Sequence, residues 1–193
     1  MLFSNETVAS VIDKQFEPVW VSLRPVPRVT IDFGNGNVIR RTLHGNVATW
    51  ICAADGTALD VIPGVYEPET WLRELHALIR VNREFADASK THPRRFLTNY
   101  HQKCLAESTR VVATSDSAEV IAGLRDDTAI NQSIRRMAIH RYLQDRQPSL
   151  PDAFTPWLYR EVLDADLEDP YLGLGEKLFG NYPFAVEDAG YGD

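Results

Sequence analysis

Between Ala48 and Pro68 the chain reads ATWICAADGTALDVIPGVYEP, and this stretch constrains the fold more than any other. Two short apolar runs flank Asp55-Gly56, a pair suited to a tight turn between antiparallel strands. Pro63-Gly64 ends the second run. Pro68 then opens a helix, where the first position leaves its amide unpaired in any case. Trp71, Leu72, Leu75, Leu78 and Ile79 come next at spacings of three and four, which predicts an amphipathic helix running to about Ala86.

Upstream, Ser4 is placed to cap a short helix whose apolar face is Val8, Val11, Ile12 and Phe16, and Pro18 blocks its continuation. Val19–Leu23 (VWVSL) reads as a buried central strand because it is almost wholly apolar. The prolines of RPVPR, lacking amide donors, keep that segment out of a ladder. VTIDF, GNGN and VIRRTL predict a hairpin over Val29–Leu43. Beyond Ala88 the pattern turns helical, at about Pro93–Ala113, Ser117–Leu124, Thr128–Gln144 and Asp152–Leu163. The tail from Leu167 is rich in Gly, Pro, Asp and aromatics and reads as an extended segment held down by Tyr171, Phe179 and Phe184.

A chain of 193 residues can bury a real core without metal or disulfide support. Its net charge of −7 argues against general nucleic-acid binding, which needs a basic surface, and against docking on an anionic membrane. No apolar run reaches the ~20 residues of a membrane span, and the first residues, MLFSNETVASV, lack a secretory pattern, so the chain as written reads as cytoplasmic. Cys52 and Cys104 are too few for a disulfide scaffold and read as buried free thiols.

LFSNETVASVIDKQFEPVWVSL and ATWICAADGTALDVIPGVYEPETWLREL together resemble bacterial thioredoxin-like proteins over about Leu2–Arg80. The first matches the segment after that family's active site, and the second matches its closing strand, turn, strand and final helix. The resemblance implies an α/β thioredoxin-like sheet with flanking helices over residues 1–88, followed by a helical extension over 89–193. It also implies that the family's CxxC, and the strand leading into it, would fall upstream of Met1. Ala48 stands where the family has a cis-proline, and the hairpin Val29–Leu43 replaces a helix. Cys52 lies within a strand, without the helix N-terminus and partner thiol that make a nucleophilic thiolate. The expectation is a redox-inactive thioredoxin-like binding or scaffolding module, with no catalytic, cofactor-binding or metal residues assigned and its protein partner open. The alternative is a thiol-disulfide oxidoreductase whose CxxC, or a selenocysteine variant, lies upstream of Met1, in which case the protein could be exported.

Other constellations read as structural. His92, His101 and Cys104 could serve zinc, but their spacing fits no established pattern and Cys104 continues the apolar stripe Leu97–Tyr100. Glu161, Asp164, Asp166, Glu168 and Asp169 lack the alternating oxygens and central Gly of a calcium loop and read as a solvated surface. Gly173–Gly180 (GLGEKLFG) lacks the ending of a phosphate loop. Arg94-Arg95 and Arg135-Arg136, among alternating charges, read as solvated helix faces. Tyr171, Phe179, Tyr182, Phe184 and Tyr191 read as anchors of the tail onto the chain's own core.

Overall fold

A computed structural model of the chain describes residues 2–42, 47–112 and 128–173. A 3-10 turn, Leu2–Ser4, leads into helix α1, Glu6–Gln15. Strands β1 (Arg28–Asp32) and β2 (Val38–Thr42) pair antiparallel, as do β3 (Ala48–Cys52) and β4 (Ala58–Pro63). Two long helices come after them, α2 (Pro68–Ala88) and α3 (Pro93–Val112). A π-helical turn, Asn131–Arg135, then runs into α4, Arg136–Leu143. Short helical turns at Pro151–Ala153, Thr155–Trp157 and Leu158–Val162 close the described chain. The result is a mixed α/β arrangement with two small antiparallel sheets among the described residues. No helix among the described residues is long and apolar enough to cross a membrane.

Two local readings change. Asn5, not Ser4, caps α1: its Oδ1 accepts from the amides of Thr7 and Val8, both at 3.1 Å, while Ser4 is taken up in the 3-10 turn. Val19–Leu23, expected as a buried central strand, forms none, and Val19, Trp20 and Val21 are 84%, 78% and 68% exposed. β-branched and aromatic residues favour a strand, but a strand exists only where a ladder partner lies alongside. No described strand pairs with this segment, so the single sheet expected to contain VWVSL, ATWIC and TALDVI is replaced by two separate pairs. The helix expected over Ser117–Leu124 lies outside the described residues, as does the tail beyond Gly173.

By its internal contacts the chain divides into two compact units, one of Met1–Trp20 with Val47–Thr155, the other of Val21–Asn46 with Pro156–Asp193. In the first, β4 is buried along its whole length. Ile51 and Ile62 pack with Val8, Tyr66, Trp71, Leu75 and Leu78, so the apolar faces of α1 and α2 close over the hairpin. Leu59 packs with Phe85 and Leu97, which brings in the end of α2 and the first turns of α3. Gly56 takes φ +86 in the turn between β3 and β4, as the Asp-Gly pair predicts.

In the second unit the hairpin β1–β2 leaves most of its side chains in solvent. The Arg24 guanidinium donates to three stations of the acidic loop, the carbonyls of Leu167 (2.8 Å), Asp169 and Pro170 (3.2 Å). Asp169 Oδ1 accepts from the amides of Tyr171 (2.7 Å) and Gly173 (3.0 Å), and Asp166 Oδ1 accepts from Glu168 (2.9 Å). These carboxylates fold their own loop.

Candidate functional site

Asp60 is a carboxylate set into the apolar run Ala58–Pro63, and it is fully buried. A charge in that position is tolerated only if it is paired and hydrogen-bonded. Arg136, the first residue of α4, meets it side-on: Nη1 donates to Oδ1 at 2.6 Å and Nη2 to Oδ2 at 2.8 Å. Arg136 Nη1 also donates to the Val61 carbonyl at 2.7 Å. Oδ1 accepts a second bond from the Val61 amide (2.8 Å), and Oδ2 a second from the Tyr100 hydroxyl (2.5 Å). All four acceptor positions of the carboxylate are thereby filled. Burial alone would raise the Asp60 carboxyl, but the guanidinium, the two imidazoles and these hydrogen bonds outweigh it and hold the group below the usual carboxylate range. Glu74 Oε2 lies 3.9 Å from Arg136 Nη2, and Gln132 Nε2 donates to Glu74 Oε1 at 3.2 Å.

Two histidines complete the cluster. His101 comes directly after Tyr100 on α3, and His140 lies one turn beyond Arg136 on α4. Their Nδ1 atoms are 2.9 Å apart, so one ring donates and the other accepts, which fixes complementary tautomers. Burial pushes His101 down to about 4 and His140 to about 3, against the partial pull of Asp60 in the other direction. Both rings are therefore neutral at physiological pH. Asp60, His101 and His140 place a potential ligand atom each within 4.8 Å of one another.

The local structure explains why α4 delivers these groups. Asn131, in the π-helical turn before it, donates from Nδ2 to the Val65 carbonyl (3.0 Å) and accepts at Oδ1 from Arg135 (2.7 Å). Thr128 Oγ1 accepts from the Glu67 amide at 3.0 Å. The Asn131–Val65 and Thr128–Glu67 bonds tie the β4–α2 connection to the helical segment that carries Arg136 and His140. Gly64 in that connection takes φ +73, and a Cβ there would stand 2.5 Å from Asn131 Nδ2. Next to it, the Tyr66 hydroxyl and the Trp71 indole N–H are buried with no hydrogen-bond partner among the described residues.

The structure places the residues singled out in the sequence as far as Gly173. Cys52 ends β3, half-buried, its thiol pushed up by burial and by Asp55. Burial likewise raises Cys104 to about 11, with Asp60 adding to the shift and the neighbouring Tyr100 hydroxyl opposing it. His101 is brought to Asp60 and His140 rather than to His92, which is exposed at the start of α3. The reading of Arg135-Arg136 as a solvated face is wrong for Arg136, which is 7% exposed, because its helix face is turned onto β4 and Asp60. Arg94 and Arg95 lie at the start of α3, where Arg94 and Arg95 are exposed. Arg160 lies 3.5 Å from Asp166 and 3.7 Å from Glu168 in the acidic loop. Tyr171, expected as an anchor, is 52% exposed, and its amide donates to Asp169 Oδ1. Phe179, Tyr182, Phe184 and Tyr191 lie outside the described residues, as does Gly173–Gly180 apart from Gly173.

Sequence reasoning misses Asp60, Tyr100 as its partner, and His140. One signal is available, a lone carboxylate inside the strand run Ala-Leu-Asp-Val-Ile. Another is the spacing of four between Arg136 and His140, which puts both on one helix face. Comparison with known proteins adds no relative: no family model, no curated protein and no solved structure matches the chain.

Proposed function

We propose that this protein is a redox-inactive, thioredoxin-like binding module that takes an extended apolar segment of a partner polypeptide as an added strand. The observation that carries this reading is the exposure of Val19, Trp20, Val21 and Leu23 in a segment without a described ladder partner. Three β-branched or aromatic residues in a row, with no ladder partner among the described residues, are a template for strand addition. An apolar β-branched strand offers both the missing main-chain bonds and the side chains to cover Trp20. The succession β3, Asp-Gly turn, β4, Pro-Gly and α2 supports the thioredoxin-like assignment. The state of the thiols supports the redox-inactive one. A disulfide exchanger works through a thiolate, whereas burial keeps Cys52 and Cys104 protonated at neutral pH.

Two measurements test the reading. Insulin reduction by the full chain with dithiothreitol should show no rate above the uncatalysed control; turnover abolished by Cys52→Ser would refute the redox-inactive half. Panning a random peptide display library should enrich apolar, β-branched sequences whose affinity drops at least tenfold in Val21→Lys. Failure to enrich any sequence, or binding indifferent to that change, would refute the binding half.

A further inference from the structure

We propose that Asp60, His101 and His140 form a binding site for a divalent transition metal of the zinc class, the histidines ligating through Nδ1 and Asp60 through one carboxylate oxygen. This goes beyond the partner-binding reading and does not depend on it. The three residues come from β4, α3 and α4, and are 0%, 1% and 2% exposed. In a tetrahedral zinc site with bonds of about 2.0–2.1 Å, neighbouring nitrogen ligands stand roughly 3.3 Å apart. The two Nδ1 atoms, at 2.9 Å, already lie within a few tenths of an ångström of that separation. In the metal-free arrangement the Nδ1 proton of one ring holds the two together; on binding, that ring would carry its proton on Nε2 instead, leaving both Nδ1 lone pairs to the cation. Imidazole nitrogens with one carboxylate oxygen suit zinc and its neighbours rather than calcium or magnesium, which prefer all-oxygen shells.

The surrounding charge permits the ion. Asp60 and Glu74 carry two negative charges against the one positive charge of Arg136, so this core of the cluster has a net −1 to set against a cation. One bond must yield. Oδ2 of Asp60 is saturated by Arg136 and Tyr100, and the neutral Tyr100 hydroxyl is the cheaper of the two to displace. Arg136 then remains on the carboxylate and orients it, as partners behind a ligating group commonly do.

Cobalt(II) added to the full chain tests the site. One equivalent should bind with the intense visible absorption of a four-coordinate centre, and zinc should displace it. His101→Gln and His140→Gln should each weaken binding at least tenfold, whereas His92→Gln should leave it unchanged. Zinc should also raise the melting temperature of the unaltered chain but not that of His140→Gln, with circular dichroism confirming that each variant is folded. A weak six-coordinate spectrum, or binding that survives in a folded His140→Gln, would overturn the proposal and leave the cluster a hydrogen-bonded network only.

Discussion

The described residues form two β-hairpins of nearly equal length with opposite relations to water. In β3–β4 every residue of the second strand is buried, including a carboxylate. In β1–β2 apolar residues that could have formed a core lie open, with Ile31 45%, Phe33 56% and Val38 47% exposed. Both have a turn built from residues that accept positive φ, at Gly56 in one and at Gly34 and Gly36 in the other. Turn chemistry and strand propensity thus make a hairpin but do not decide its burial. Burial is decided by the next element along the chain. β4 runs directly into α2, whose apolar face returns over it, whereas β1–β2 has no amphipathic helix immediately after it.

The contrast can be broken most forcefully at Asp60. Asp60→Ala leaves the Arg136 guanidinium buried without its partner and should cost about 3–5 kcal/mol, read by urea denaturation. A loss under about 1 kcal/mol would mean that the β4 environment is wetter than its burial suggests. Acid should act next. His101 and His140 are held at about 4 and about 3 in the fold, against about 6.5 in an unfolded chain. Below pH ~6.5 the unfolded state binds the extra protons, so stability present above that pH falls as pH drops through about 4 and about 3. Asp60, also held low in the fold, continues the loss at more acid pH. The urea midpoint should fall between pH ~7 and pH ~5. His140→Gln should flatten that slope, and an unchanged slope would contradict the buried imidazole pair.

Smaller effects sharpen the comparison at the glycines. Gly64→Ala meets both a φ of +73 and the Asn131 side chain, while Gly34→Ala meets a φ of +70 and open space. The backbone strain is about 1–2 kcal/mol for each, so any excess at Gly64, measured in parallel melts, reports the Asn131 contact. The smallest change is expected at Phe33. Phe33→Thr on the exposed hairpin should shift stability by no more than about 0.5 kcal/mol. A larger loss would show that this ring is covered in solution.

Legibility in the sequence tracks the range of the forces involved. The Asp55-Gly56 turn, Pro68 at the start of α2, and the Trp71–Leu75–Leu78 face are all legible, because neighbours within a few residues determine them. VWVSL misleads because its composition states a propensity, while pairing depends on a strand elsewhere in the chain. The cluster at Asp60 is illegible for the same reason. Its bonds join residues 40 apart for Tyr100, 76 apart for Arg136, and 39 apart between the two histidines. His101 stands out in the sequence, but the partners its local spacing offers are His92 and Cys104 rather than His140.

The Arg24 clamp has a consequence for the order of events at the ribosome. Its guanidinium joins carbonyls 143 to 146 positions later in the chain. At about 5–20 residues per second, that interval takes roughly 7–30 s to synthesise. The hairpin β1–β2 therefore emerges early and waits for its clamp, while the whole of Val47–Thr155 is made and can fold. During that wait its apolar face and the Val19–Leu23 segment are open together. A nascent chain paused before Leu167 thus has Arg24 unanchored in addition to these residues, which stay exposed in the finished fold, and slowing elongation should lower the soluble yield.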